Sequence, residues 1–581
     1  MFKECLEVFK EELERKGEGL ILDSYVPADG TYLIIDHSGN CKAQVEIRID
    51  KKTKQVDKSS PFYPQICFYD YHSQLVSMNK PVDSKKIIHS NSYLSFAVKK
   101  ESVTSGKLTE EIIDGYFETL KDPVEKKYKK SGEACRIYEI FEAEEGKVDI
   151  ESLERNRLWI KAHIFSLEDI DMGRKDYLKV FFEAEDAVYE REGRRYSQPN
   201  IFNSNDYNVE IENIVYGLPD NNLGMNPKKP LLSFKTRKVS ASYLLDNNEV
   251  ILQKKFFDYL LNLVSSGKYH VYIDTEQKKI KGYRNGERPD KMESGYYLRL
   301  KKGKSEAEIW APDNIVGYAD KLNRSFQFEN ILGAEHEKAD HYNDAYQVYH
   351  YRTDVERLIN EVFFSKWLAG NYTADAGDIS VKDETLKQSI LFSRDAIFDW
   401  VYKGRDAGFS KVLEKVSLTL IKRATLCGYR DRALWQLNLR WSFQKYFSEE
   451  GEHDMGEIIT DLVESVKKKI YAETTVPLEN DMEYYYTVGQ LVSYLLSLSK
   501  SKENNQSLLN PFLNAKTDEE IKRRILQIYK KYNYRISSNS KRARNLLALV
   551  EGYVPGEVNQ EMIILGYNSD RLIYMEDKKN E

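Results

Sequence analysis

At 581 residues, with 87 Lys and Arg against 93 Asp and Glu, the chain has room for two to four domains and, at a formal charge of −6, no global attraction to nucleic acid. Its 41% apolar and 31% charged residues are those of a soluble globular protein and exclude wholesale disorder. No segment offers the roughly 18 uninterrupted apolar residues that cross a bilayer, which predicts a cytoplasmic protein with no membrane partner.

The opening stretch MFKECLEVFKEELERKGEGL spaces its apolar and charged residues for a helix, and it lacks the apolar core of a signal peptide. Residues 31–50, TYLIIDHSGNCKAQVEIRID, read as two strand runs joined by a Ser-Gly-Asn turn in hairpin fashion. Similar short runs recur in YLSFAVKK, KYHVYIDTEQKKIKGYR, GYYLRLKKG and AEIWAPDNIVGYAD. From about residue 345 the periodicity lengthens to helical spacing, in DVERLINEVFFSKWL, RDAIFDWVYKGRD, GEIITDLVESVKKKIYAE and YYYTVGQLVSYLLSLSKS. The expected fold class is therefore α+β: an N-terminal mixed α/β region with antiparallel strands, followed by a C-terminal α-helical bundle. Domain boundaries are expected at 1–345, 346–454 and 455–581.

Four segments carry candidate chemistry. In 77–102, Asn79, Lys80, Lys85, Lys86, His89 and Asn91 interleave cations and amides, a mixture that suits single-stranded nucleic acid and equally a lysine-guarded edge hairpin. In 216–234, Asn221, Asn222, Gly224, Asn226, Lys228 and Lys229 form a loop open to close backbone approach and phosphate neutralisation, or an ordinary turn-rich connection. The histidines His336, His341 and His350 suggest a metal, but the five-residue separation of the first two turns them to different helical faces.

The fourth segment, 517–551, contains no carboxylate between Glu520 and Glu551. Thr517 and Glu520 form a capping-box pattern for a helix over 517–534, with Ile521, Ile525, Ile528 and Tyr532 as its buried stripe. Lys522, Arg523, Lys530, Lys531 and Arg535 lie in or just beyond that helix, and Lys541, Arg542 and Arg544 open a second helix from about Ser540. Cations at a helix start oppose the helix dipole, so they make more sense as phosphate contacts than as helix stabilisation; a solvated face balanced by acids elsewhere is the alternative.

No phosphate loop, GxSxG elbow or HExxH helix is present. Cys5, Cys41, Cys67, Cys135 and Cys427 form no CxxC pair and are expected to be buried small apolar residues, with no metal and no cofactor.

Several stretches, in order, resemble a known family: YVPADGTYLIIDHSGN, FYDYHSQLVSMNKPVDSKKIIHSNSYLSFAVKK, YGLPDNNLGMNPKKPLL with FFDYLLNLVSSGK, and YYYTVGQLVSYLLSLSKSKENNQSLLNPFLNAKT with EMIILGYNSDRLIY. Together they resemble the large subunit of type I-B CRISPR interference complexes (Cascade). The resemblance implies a non-catalytic subunit that reads the PAM on target double-stranded DNA, supports the R-loop and helps recruit a helicase-nuclease. Guide CRISPR RNA and the backbone and guide-end subunits are the other implied partners. On this reading residues 221–229 read the PAM, 522–544 hold the displaced strand, and 79–91 contact guide RNA and the adjoining subunit. A small subunit translated from the C-terminal region would start at Met455 or Met482. The rival readings are a CRISPR-linked metal-dependent nuclease using the 336–350 histidines and a general RNA-binding scaffold.

Overall fold

Residues 31–50 form the expected hairpin. Strand Gly30–Ile35 pairs antiparallel with Cys41–Ile47, and the Asp36 carboxylate closes the turn by accepting the Ser38 and Asn40 amides at 2.9 Å each. The two strands differ in a way their sequences explain. Gly30–Ile35 is buried at every position and reads as a continuous apolar run, whereas Cys41–Ile47 has an exposed face and alternates.

A computed structural model describes residues 1–50, 56–167, 169–204, 208–212, 214–220, 223, 244–303, 306–334, 346–448, 455–474, 476–499 and 508–575. The architecture is α+β, with sheets in the N-terminal region and helices from Arg352 onward. The first sheet has the strand order 41–47, 30–35, 177–182, 95–99. Its pairs are antiparallel except the central one, where Gly30–Ile35 runs parallel to Tyr177–Phe182. A parallel pair needs a long crossover, and the helices Glu110–Lys121, Gly132–Glu145 and Ile150–His163 lie in it. Gly30 is obligatory at this junction, because a Cβ there would stand 2.5 Å from the Tyr177 carbonyl oxygen. A second four-stranded sheet follows the order 307–319, 291–302, 268–274, 279–284.

The chain divides into two compact units, residues 1–287 with 293–316, and 288–292 with 317–581. The change of periodicity near residue 345 falls inside the second unit. Strand Tyr346–Tyr351 pairs there with Lys321–Glu329, so the helical region starts a few residues after the point where apolar spacing alone places it. The segment YQVYHY, with three Tyr and one Val, has strand propensity that the helical spacing downstream obscures.

The second unit is organised around the helix Asp481–Ser497, in which Glu483 to Leu495 are all buried. A helix buried on every side has no amphipathic stripe to read. Two of its buried polar residues find partners inside the unit: Lys469 Nζ reaches Glu483 at 2.7 Å, and Gln490 Nε2 donates to the Gly566 carbonyl at 2.7 Å. Gly489 and Gly566 let this helix press against Gln560–Asn568, since a Cβ on either would meet the opposite backbone at 2.3 Å or less.

Two of the five cysteines, Cys5 and Cys67, are buried as expected, and burial pushes their thiols up to about 12 and about 11. Cys41 and Cys427 are exposed, which corrects the expectation for them: Cys41 falls on the outward side of its strand and Cys427 just past the end of a helix. All five are free thiols.

Candidate nucleic-acid interface

The helix Asp518–Tyr532 forms where the capping pattern places it. Thr517 accepts the Glu520 amide at 3.4 Å, while the Glu520 carboxylate accepts the Lys516 amide, one residue earlier than the reciprocal bond of a capping box. Ile521, Ile525, Ile528 and Tyr532 are its buried residues. At about 100° per residue, Arg523, Arg524, Lys530 and Lys531 fall within an arc of roughly 120° on the opposite side, and all four are exposed. The following helix, Lys541–Glu551, is capped by Ser540 and exposes Arg544.

The other four cations of this segment serve the fold. Lys522 pairs with Asp518 at 2.9 Å, donates to the Tyr553 carbonyl at 2.5 Å and lies 5.6 Å from the centre of the Tyr484 ring. Arg535 donates to the Leu498 carbonyl, and Lys541 pairs with Glu473. Arg542 stacks 3.8 Å above the Tyr471 ring and donates to the Ile573 carbonyl at 3.2 Å. Near the start of Lys541–Glu551, Arg542 therefore has a structural role, Lys541 makes a solvent-exposed pair with Glu473, and Arg544 keeps its charge in solvent.

Sequence reasoning missed two residues here. Arg524 belongs to the exposed arc, and Tyr534, in the short turn after the helix, is 76% exposed beside Lys530, Lys531 and Arg535 in the chain. The signal for the first was legible: at 100° per residue Arg524 projects within about 20° of Lys531, inside the arc that the other exposed cations define.

The segment 79–91 is turned inward. Asp83 is buried and its carboxylate accepts the amides of Lys85, Ile87 and Ile88 at 2.8, 2.7 and 3.1 Å, which shapes the turn that holds Lys86 at φ 59°. Lys80 donates to the carbonyls of Asn200 (2.8 Å) and Phe202 and pairs with Asp220 at 3.2 Å; burial lowers its pKa. His89 is half-buried between the Tyr177 hydroxyl (3.1 Å) and the Lys86 carbonyl (3.2 Å), and burial lowers its pKa as well. Asn91 is 3% exposed and donates to the carbonyls of His72 and Gln74. Only Asn79, Lys85 and Lys86 of this group face solvent.

Asn221, Asn222, Gly224, Asn226, Lys228 and Lys229 lie outside the described residues, as do His336 and His341. The footing of the 221–229 loop is described: Asp220 is held by Lys80 and by its amide to the Ile201 carbonyl at 2.8 Å, and Leu223 is buried. Lys80 thus ties the base of that loop to the 79–91 segment, a juxtaposition no spacing in the sequence announces. His350 is exposed on the strand Tyr346–Tyr351. Among the described residues no helix is long and apolar enough to cross a membrane.

No protein-family model, curated protein or solved structure matches this chain.

Proposed function

We propose that the chain is a non-catalytic nucleic-acid-binding subunit, specifically the large subunit of a type I-B CRISPR RNA-guided complex. The observation that carries the reading is the exposed cationic arc of Arg523, Arg524, Lys530 and Lys531, joined by Arg544, in a stretch with no carboxylate between Glu520 and Glu551. Such a surface suits the phosphates of a displaced single strand, and the exposed ring of Tyr534 suits a base. The ordered resemblance of segments along the chain supplies the particular assembly, and with it guide RNA, target duplex and the helicase-nuclease as partners.

Within this reading the loop 221–229 contacts the PAM, and the Asp220–Lys80 pair anchors the residue that precedes it. The separately translated C-terminal fragment starts at Met455. A start at Met482 would remove the helix Met455–Tyr471, which contributes Val466, Ile470 and the buried Lys469–Glu483 pair to the core.

The test is duplex binding by the guide-loaded complex assembled with and without this chain, at fixed salt, on targets with randomised flanking bases. Tight, flank-dependent binding only with the chain present is the expected result. Binding that is the same either way removes the proposal. Metal-dependent cutting by the isolated protein, abolished by His341→Ala, would replace it with the nuclease reading.

A further inference from the structure

A recess of about 150 Å³ in the first unit gathers groups that the nucleic-acid reading does not use. Glu18 precedes the helix Gly19–Leu22, His72 ends the helix Tyr63–His72, and Glu190 lies in Asp186–Ser197. One ligand-type atom from each lies within 4.8 Å of the other two. His72 Nε2 is 2.8 Å from one oxygen of Glu18, and Lys255 Nζ takes the other at 2.5 Å.

The surroundings hold these groups together. Gly193, almost one turn after Glu190, sits where a Cβ would stand 2.7 Å from the His72 carbonyl oxygen, so a glycine is what lets that helix descend onto His72. The same carbonyl accepts Asn91 Nδ2 at 2.7 Å, which fixes the end of the His72 helix. The cations lining the recess are already matched: Lys255 by Glu18, Lys254 by Asp258 at 2.5 Å, Arg194 by Glu145 at 3.0 Å. Glu190 has no ion pair among the described residues, which leaves a carboxylate beside an imidazole without a compensating charge. Asn91 also lines the recess, and its buried Oδ1 has no hydrogen-bond partner among the described residues. An orphaned buried acceptor is costly, and a water held in the recess would satisfy it.

We propose that Glu18, His72 and Glu190 bind one divalent cation of the zinc class, with water completing its coordination. Imidazole nitrogen and carboxylate oxygen bind zinc at about 2.0–2.2 Å, which sets neighbouring ligand atoms of a tetrahedral site roughly 3.3–3.6 Å apart. The observed separations, 2.8 Å for one pair and at most 4.8 Å for the rest, reach that range by side-chain movement on the order of 1 Å. On binding, the cation takes the place of the hydrogen between His72 Nε2 and Glu18. Lys255 stays on the outer oxygen of Glu18 and orients it, the part that groups around metal ligands commonly play. The cation would cross-link three elements far apart in the chain and present its water to the recess.

The experiment uses the full chain, stripped with a chelator, then titrated with ZnCl₂ and assayed for bound zinc after gel filtration. The expected result is one zinc per chain, a rise in Tm on addition, and a loss of affinity of at least about 100-fold in His72→Gln and in Glu190→Gln. Cys41→Ser/Cys427→Ser, which removes the two exposed thiols, should bind as the native chain does. Circular dichroism confirms that each variant is folded, and Glu190→Gln, the milder change, serves if His72→Gln is not. Zinc that stays bound in both ligand variants, zinc lost with the two cysteines, or no zinc retained by the native chain would each overturn the site.

Discussion

Residues 79–91 and 522–544 are both rich in cations and amides, yet the molecule uses them in opposite ways. The first group turns Lys80, His89 and Asn91 onto backbone carbonyls and neighbouring side chains, and leaves three residues in solvent. The second retains Arg523, Arg524, Lys530, Lys531 and Arg544 outside, while Lys522, Arg535, Lys541 and Arg542 have partners within the chain. The difference lies in backbone form. A turn leaves unpaired amides and carbonyls that capture nearby polar side chains, whereas a helix satisfies its own and frees the side chains opposite its buried stripe. A charged segment on a regular amphipathic helix is therefore the better candidate for a binding surface.

Mutations can break this contrast. Asp83→Ala strips the acceptor from three amides and should destabilise the first unit by about 3 kcal/mol, read by urea unfolding, with no change in the salt dependence of nucleic-acid binding. A neutral result there would mean the turn is not held as described. The quadruple variant Arg523→Ala/Lys530→Ala/Lys531→Ala/Arg544→Ala should do the reverse. Its stability should stay within about 0.5 kcal/mol of the native chain, while the slope of log affinity for a single strand against log salt falls by roughly 3, about 0.7 for each phosphate no longer neutralised. An unchanged slope would return these cations to a merely solvated face.

Smaller effects sharpen it further. Lys127 Nζ donates to the Lys80 carbonyl at 3.0 Å, and burial, with the Lys80 ammonium nearby, pushes its pKa down to about 8 from 10.5. Between those values the unfolded chain holds the proton and the folded chain does not, so the stability contributed at this site rises with pH across the window. Lys127→Met should remove a gain of up to about 2 kcal/mol between pH 8 and 10; unfolding curves of equal pH slope in both proteins would contradict it. Lys522→Ala should cost about 1 kcal/mol of stability and change strand binding less than Arg523→Ala does, although the two residues are adjacent. Equal binding losses in the pair would mean that the internal partners of Lys522 do not withhold it from the strand.

The amino-acid sequence by itself determined the α+β class, the hairpin at 31–50, the capped helix from Thr517 and its buried stripe of Ile521, Ile525, Ile528 and Tyr532. Each rests on short-range physics: side-chain periodicity, a turn carboxylate, a cap three residues from its amide. What only the tertiary structure decided depends on the meeting of residues far apart. The parallel pairing of Gly30–Ile35 with Tyr177–Phe182, the pinning of Asp220 by Lys80, and the division of the nine cations of 522–544 into partnered and exposed sets are of this kind. So is the convergence of Glu18, His72 and Glu190, which needs the close approach at Gly193. Local propensities do not encode which distant carbonyl will meet a lysine, because that partner is set by how whole helices and strands pack.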